Sequence, residues 1–211
     1  DAGSSGTVLD VSGLTSGTNP CDWTLGSGQT LKGIGTVTTA STGMITIAGT
    51  HSPGNSAAIQ QINGSTTYAS TSIFVWELYA NTTSNSPVVY DQVNVNGSLT
   101  IVNGALFNVV LNDAGSSVYL ANAFWQAPQQ WQVFSSTGNL TYTNGFTLGT
   151  VASNQIPVSN YGSFSFTYTP GKVVNLNWTP VPELSNLLVG GLLAAGLLLR
   201  RRATASPNVE C

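Results

Sequence analysis

Gln29-Thr30-Leu31-Lys32-Gly33-Ile34-Gly35-Thr36-Val37, then Gly43-Met44-Ile45-Thr46-Ile47, then His51-Ser52-Pro53-Gly54-Asn55-Ser56, is the stretch that decides how this chain folds. Apolar and β-branched residues alternate at period two, and glycines or Pro-Gly punctuate them at short intervals, which is the pattern of brief strands joined by tight corners. The pattern continues through Ile73-Phe74-Val75-Trp76-Glu77-Leu78, Val93-Asn94-Val95, Leu99-Thr100-Ile101, Leu106-Phe107-Asn108-Val109-Val110 and Phe164-Ser165-Phe166-Thr167-Tyr168. Asn-Gly pairs at Asn63-Gly64, Asn96-Gly97, Asn103-Gly104 and Asn144-Gly145 mark further turns. No helical periodicity precedes residue 184. Strands at this spacing fit a sandwich, a barrel or a β-solenoid, and periodicity alone does not choose among them.

The order of motifs in the first half chooses. Leu31, Gly33, Gly35 and Val37 followed by Ser52, Pro53, Gly54 and Asn55 resemble the autotransporter-associated β-strand repeat, and the likeness runs on through Val75-Trp76-Glu77-Leu78, Tyr90-Asp91-Gln92-Val93-Asn94-Val95 and Gly97-Ser98-Leu99-Thr100-Ile101. The resemblance covers most of residues 25–111 and implies a parallel β-helix. Stacking suits such a repeat physically, because a coil that cannot bury its own apolar face gains a continuous core from its neighbours. The expected organisation is all-β: a β-solenoid over 1–111, an antiparallel, aromatic-rich capping region over 112–180, a sorting tail with one apolar transmembrane helix over 181–202, and a short polar tail over 203–211. The aromatics of the cap have a second reading, a carbohydrate-binding platform built from Trp125, Trp131 and Tyr142.

The tail carries the sharpest local signal. Residues 184–199 read LSNLLVGGLLAAGLLL without a charge and are closed by Arg200, Arg201 and Arg202. As a helix the run spans about 24 Å, a little short of the ~30 Å hydrocarbon layer, and the arginines mark its cytoplasmic end. A buried core helix is the other reading of so short a run, although it would normally show a polar face. Val181, Pro182 and Glu183 stand immediately before it. Pro-Glu, an apolar helix and an arginine cluster together resemble the PEP-CTERM sorting signal, with Leu184 where that family has a second proline. The resemblance implies an exosortase-type processing protease as partner, export, a tether in the inner membrane during processing, and delivery to the cell surface or extracellular matrix.

Charge excludes other functions. Only 6% of residues are charged while 41% are apolar, so the chain folds and its solubility comes from amides and hydroxyls. From Asp1 to Glu183 there are two lysines and seven carboxylates, 2 − 7 = −5, which cannot neutralise a phosphate backbone, and nucleic acid is not expected as a partner. Cys21 and Cys211 give neither a zinc site nor a disulfide framework, and no metal or cofactor is expected. The chain opens on Asp1, which reads as a processed or partial form. The single histidine, His51, sits in the Ser-Pro-Gly turn motif and reads as a solvated loop residue, and no nucleophile elbow occurs. The reading is an exported, non-catalytic structural or adhesive protein whose partners are matrix polysaccharide or further copies of itself. The alternative is a polysaccharide-degrading β-helix enzyme using Glu77 and Asp91 as paired carboxylates, with Asp113 as a third. An acidic motif residue such as Asp91 can equally bond backbone amides at a turn.

Overall fold

Short β-branched and aromatic segments separated by glycine corners cannot pair locally into hairpins of any length, so each strand finds its partner one coil away. The computed structural model describes residues 7–14, 21–154, 157–169 and 172–182. After β1 (Val8–Asp10), the chain lays down β2 (Trp23–Leu25), β3 (Thr30–Gly33) and β4 (Thr36–Thr38), then β5 (Met44–Ile47), β6 (Thr50–Pro53) and β7 (Ile59–Asn63). It continues with β8 (Ser65–Tyr68), β9 (Ile73–Glu77) and β10 (Gln92–Asn96), and with β11 (Leu99–Ile101), β12 (Leu106–Val110) and β13 (Gln129–Ser136). The last turn is β14 (Leu140–Tyr142) and β15 (Thr147–Ala152), followed by the hairpin of β16 (Gly162–Thr169) and β17 (Val173–Pro180). Every third strand returns to the same sheet. A first sheet runs β1-β4-β7-β10-β13-β17-β16, a second β14-β11-β8-β5-β2 and a third β15-β12-β9-β6-β3. All pairings are parallel except those of β17 with β13 and β16. The chain is therefore mostly β with parallel sheets in a β-helix-like winding.

Register places like residues above like. In the third sheet Leu31, His51, Phe74, Phe107 and Leu148 stand in one column. The second sheet aligns Leu25, Ile47, Tyr68 and Ile101, and the first aligns Val37, Ile62 and Val95. The apolar residues of these columns form one buried cluster with Leu148 partly buried against it, each large side chain contributing about 1.5–3 kcal/mol by leaving water. Between successive coils the rings of Phe74, Phe107, Phe134, Tyr68 and Phe146 meet at centroid distances from 4.7 to 6.2 Å.

Two expectations change. The antiparallel region does not begin at residue 112: β13, β14 and β15 pair in parallel with β10, β11 and β12, so the parallel winding continues to Ala152. Alternation at period two is the same for either strand direction, and the gain in rings toward this end of the chain fills the last coils rather than marking a separate layer. Among the named strands, antiparallel pairing is confined to β17, which joins β13 to β16, and Phe166 of β16 packs edge-on against Phe107 at 5.0 Å. Pro53, expected in a turn, ends strand β6, and Gly54 beyond it bridges back to Gly33 with φ of +80°, a conformation that a Cβ disfavours.

All these strands belong to the unit Asp1–Pro180; of the second unit, Val181–Cys211, only Val181 and Pro182 are described, both exposed. Glu183, Arg200, Arg201, Arg202 and the apolar run 184–199 lie outside the described residues. Among the described residues no helix is long and apolar enough to cross a membrane. Phe74 sits where the ring contacts converge, so Phe74→Ala is expected to destabilise the body by about 3–5 kcal/mol, read from the shift of a urea unfolding curve. A change below about 1 kcal/mol would contradict this packing.

Candidate functional site

Each coil passes from the third sheet to the first at one corner, and from β6 onward that corner carries long connections, residues 54–58, 78–91 and 111–128. Asp91 holds it together. Its Oδ1 accepts from the Ala58 amide at 2.8 Å and its Oδ2 from the Glu77 amide at 2.9 Å. Its own N–H donates to the Glu77 carbonyl at 3.1 Å and its carbonyl accepts from the Trp76 indole at 2.8 Å. One side chain thus closes the neck of insertion 78–91 and ties it to the preceding coil. Burial pushes the Asp91 carboxyl well up, reinforced by the Glu77 charge and opposed by the two amides.

The third-sheet strand β9 aims Glu77 outward under the insertions, where it is buried, with Oε2 lacking a hydrogen-bond partner among the described residues. Burial raises its pKa first and the Asp113 charge second, while Lys32 acts the other way. Asp113 accepts from the Tyr79 hydroxyl, which holds it below the ordinary carboxylate range, and the Tyr79 phenol is pushed up by burial and this bond. Glu77, Asp91 and Asp113 therefore do share one neighbourhood. Only Asp113 is accessible, however: Asp91 is 0% exposed with both oxygens accepting from backbone amides, so a substrate proton cannot reach its carboxylate. Among the described residues no group of three His, Cys, Asp or Glu could hold a metal ion.

Insertion 111–128 stands on insertion 78–91. Asn81 Oδ1 accepts from the Trp125 indole at 2.7 Å and the Tyr119 amide at 3.1 Å, and the Trp131 indole donates to the Thr82 carbonyl at 2.8 Å. Trp125 and Trp131 are consequently buried, and Tyr142 lies stacked on Tyr168 at 4.3 Å. The three rings do not form a platform: Trp125 and Trp131 fill the core, and the exposed Tyr142 stands apart on Tyr168. Beside the insertions an open groove of about 450 Å³ is walled by Thr83 and Pro128 and floored by Gln130, Asn177 and Thr179.

His51 overturns its sequence reading most completely. It lies in β6, fully buried, with Nε2 at 2.5 Å from Gln60 Oε1 and Nδ1 at 2.6 Å from the Tyr68 hydroxyl. Gln60 Nε2 donates to the Gly33 carbonyl at 2.8 Å, which fixes the amide's oxygen toward the ring. Nε2 therefore carries a proton, and in the neutral ring Nδ1 accepts from the Tyr68 hydroxyl. Burial lowers its pKa from 6.5 to about 4, against the Gln60 bond.

The repeat residues are structural. Leu31 and Val37 point into the core, and Gly33 supplies the carbonyl that Gln60 holds. Gly35 and Ser52 are part of the winding, and Asn55 is exposed at the corner. Sequence reasoning missed Asn81, Gln60 and Tyr68, whose roles depend on which coil lies above which. No known family model matches the chain, and no curated protein matches it in sequence.

Two consequences are measurable. The depressed His51 pKa means the unfolded state binds this proton first as pH falls. Its stabilisation is complete above pH 6.5 and is lost between 6.5 and about 4, an effect on the order of 3 kcal/mol. The difference between the stability–pH curves of the parent and His51→Gln should show that loss over this window; parallel curves would refute a buried neutral imidazole. Asp91→Asn, which turns an N–H toward an amide donor, is expected to cost about 1–3 kcal/mol, seen as a lower urea midpoint.

Proposed function

We propose that this chain is an exported, non-catalytic structural or adhesive component of a bacterial cell surface or extracellular matrix. In this reading the body is a parallel β-helix closed by an antiparallel hairpin. The apolar run 184–199 is a transmembrane helix that tethers it until an exosortase-type protease acts at the signal formed by Val181, Pro182, Glu183 and the arginines Arg200–Arg202. The observation that carries it is the way the chemistry-bearing residues are used. Of the acidic pair that an enzyme would need, the Asp91 carboxylate is committed to backbone amides at the corner and Glu77 is buried, and the outward faces of the coils present amides and hydroxyls in register.

Threonines illustrate the second point. Thr24, Thr46, Thr67, Thr100 and Thr141 form a single outward column through all five strands of the second sheet. Such a rigid, weakly charged surface suits matrix polysaccharide or association with further copies, and offers nothing to an anionic polymer. A polysaccharide-degrading enzyme using Glu77 and Asp91 is supported by their proximity alone, and the burial of Asp91 weighs against it.

Mass spectrometry of the mature protein from its native host should find the chain ending near Pro182-Glu183, in a surface or matrix fraction. An uncleaved chain recovered from the cytoplasm would remove the proposal. Assays for released reducing ends should show no activity in the parent; hydrolysis abolished by Glu77→Gln with Asp91→Asn would establish the enzyme instead.

A further inference from the structure

We propose that the outer face of the seven-stranded first sheet, with the groove at its β13–β17 end, binds an extended, neutral glycan chain. The inference rests on the surface-protein reading and names the partner of that surface. Val93 and Val95 are buried in β10, so Gln92, Asn94 and Asn96 point outward. Asn94 lies beside Gln61, which lies beside Thr36; Asn96 lies beside Asn63, which lies beside Thr38. On the far side, Gln130 and Gln132 of β13 pair with Asn177 and Asn175 of β17, which pair in turn with Ser165 and Thr167 of β16. The face is thus a field of amides and hydroxyls repeated from strand to strand. Strands β4, β7, β10, β13, β16 and β17 contain no Asp, Glu, Lys, Arg or His, and Asp10 on β1 is the one such group in the sheet's strands.

These side chains are already ordered by one another. Gln92 Nε2 donates to Asn94 Oδ1 at 2.9 Å, and Ser135 Oγ donates to the same oxygen at 2.7 Å. Thr137 Oγ1 donates to Asn96 Oδ1 at 3.1 Å. In the groove floor Gln130 Nε2 donates to Asn177 Oδ1 at 2.8 Å, and Asn177 Nδ2 donates to Thr167 Oγ1 at 3.0 Å. A primary amide has two donor hydrogens and two acceptor lone pairs, so one lateral bond fixes its direction and leaves capacity for a ligand. Little side-chain entropy remains to be lost on binding.

The chemistry of the face selects the occupant. Phosphate or uronate chains would find no cation there, and a protein partner would find few apolar anchors, Ile59 on β7 and Val8 on the edge strand β1. Seven strands about 4.8 Å apart span about 34 Å, and two or three outward residues reach about 13–20 Å along them, roughly 450–670 Å². That is below the ~800 Å² each partner of a standard interface contributes, so a second copy is disfavoured. A β-linked pyranose chain laid across the strands repeats its hydroxyls at close to the strand spacing, meeting the same donor and acceptor set at each step. The groove, about 450 Å³, receives one end of it and falls within the volume of ordinary ligand sites.

The full 211-residue chain is tested by depletion onto cellulose, an insoluble β-1,3-glucan, xylan and mannan, with alginate as the anionic comparison, at low and high salt. Binding to at least one neutral polymer is expected, insensitive to salt. It should weaken about tenfold or more in Gln130→Ala with Asn177→Ala and in Asn94→Lys, and be unchanged in Ser41→Ala, at the exposed turn before β5. Thermal melts identify any variant that loses its fold, and the other then decides. Absence of binding to all four neutral polymers, binding to alginate alone, full retention in a folded face variant, or dimerisation through this face in sedimentation would each overturn the inference. A cytoplasmic, unprocessed native protein that still binds glucan would instead sink the surface-protein reading and leave this site standing.

Discussion

The parallel backbone ladder from one coil to the next is the constraint on which the rest of this molecule depends. A coil of three short strands has no inside of its own. It acquires one only when the coils above and below bring Leu31, Phe74, Phe107 and their neighbours into common columns, and the apolar surface buried in this way dominates stability. Because register assigns every second residue to the core, it simultaneously assigns the rest to the outer faces. The amide and hydroxyl fields are thus a by-product of the same alternation that builds the core. Insertions are tolerated only where they do not interrupt a ladder, and the corner between the third and first sheets meets that condition.

At that corner architecture and electrostatics are inseparable. Asp91 is an acceptor for two amides from different coils, a demand that a neutral side chain would meet poorly and that explains a buried carboxylate without any catalytic role. Glu77 and Asp113 gather around it as a consequence of where β9 and β12 end. The stacked insertions then use Asn81 and the indoles of Trp125 and Trp131 to satisfy their own polar groups, so rings that look like ligand platforms in isolation serve as fasteners between loops.

Much of this was legible in the residues. The strands at Thr36–Thr38, Met44–Ile47, Leu99–Ile101 and Leu106–Val110 follow from β-branched alternation, and Asn144-Gly145 takes positive φ at both positions, as an Asn-Gly turn does. What was not legible depends on neighbours one coil away. Alternation carries no information on strand direction, so the parallel pairing of β13 to β15 was hidden. His51 sits before Pro-Gly, a local context that argues for a loop, while its actual surroundings come from Gln60 and from Tyr68 in the next coil. Asp91 bonding backbone amides was among the sequence-level alternatives, but its two donors, Ala58 and Glu77, could be named only once the coils were stacked.

The His51–Tyr68 bond has a bearing on how such a chain finds its order. Coils whose interiors are lined by Val, Ile and Leu are nearly interchangeable, and a growing stack built from them is open to threading in which one layer is skipped or exchanged. An imidazole reaching into the next layer for a phenol, and across its own for an amide, is satisfied in one arrangement only. A wrong layer after it separates Tyr68 from His51 and leaves the hydroxyl and Nδ1 without partners in hydrocarbon. The network therefore works as an index mark, fixing which layer follows which in a material that would otherwise be self-similar.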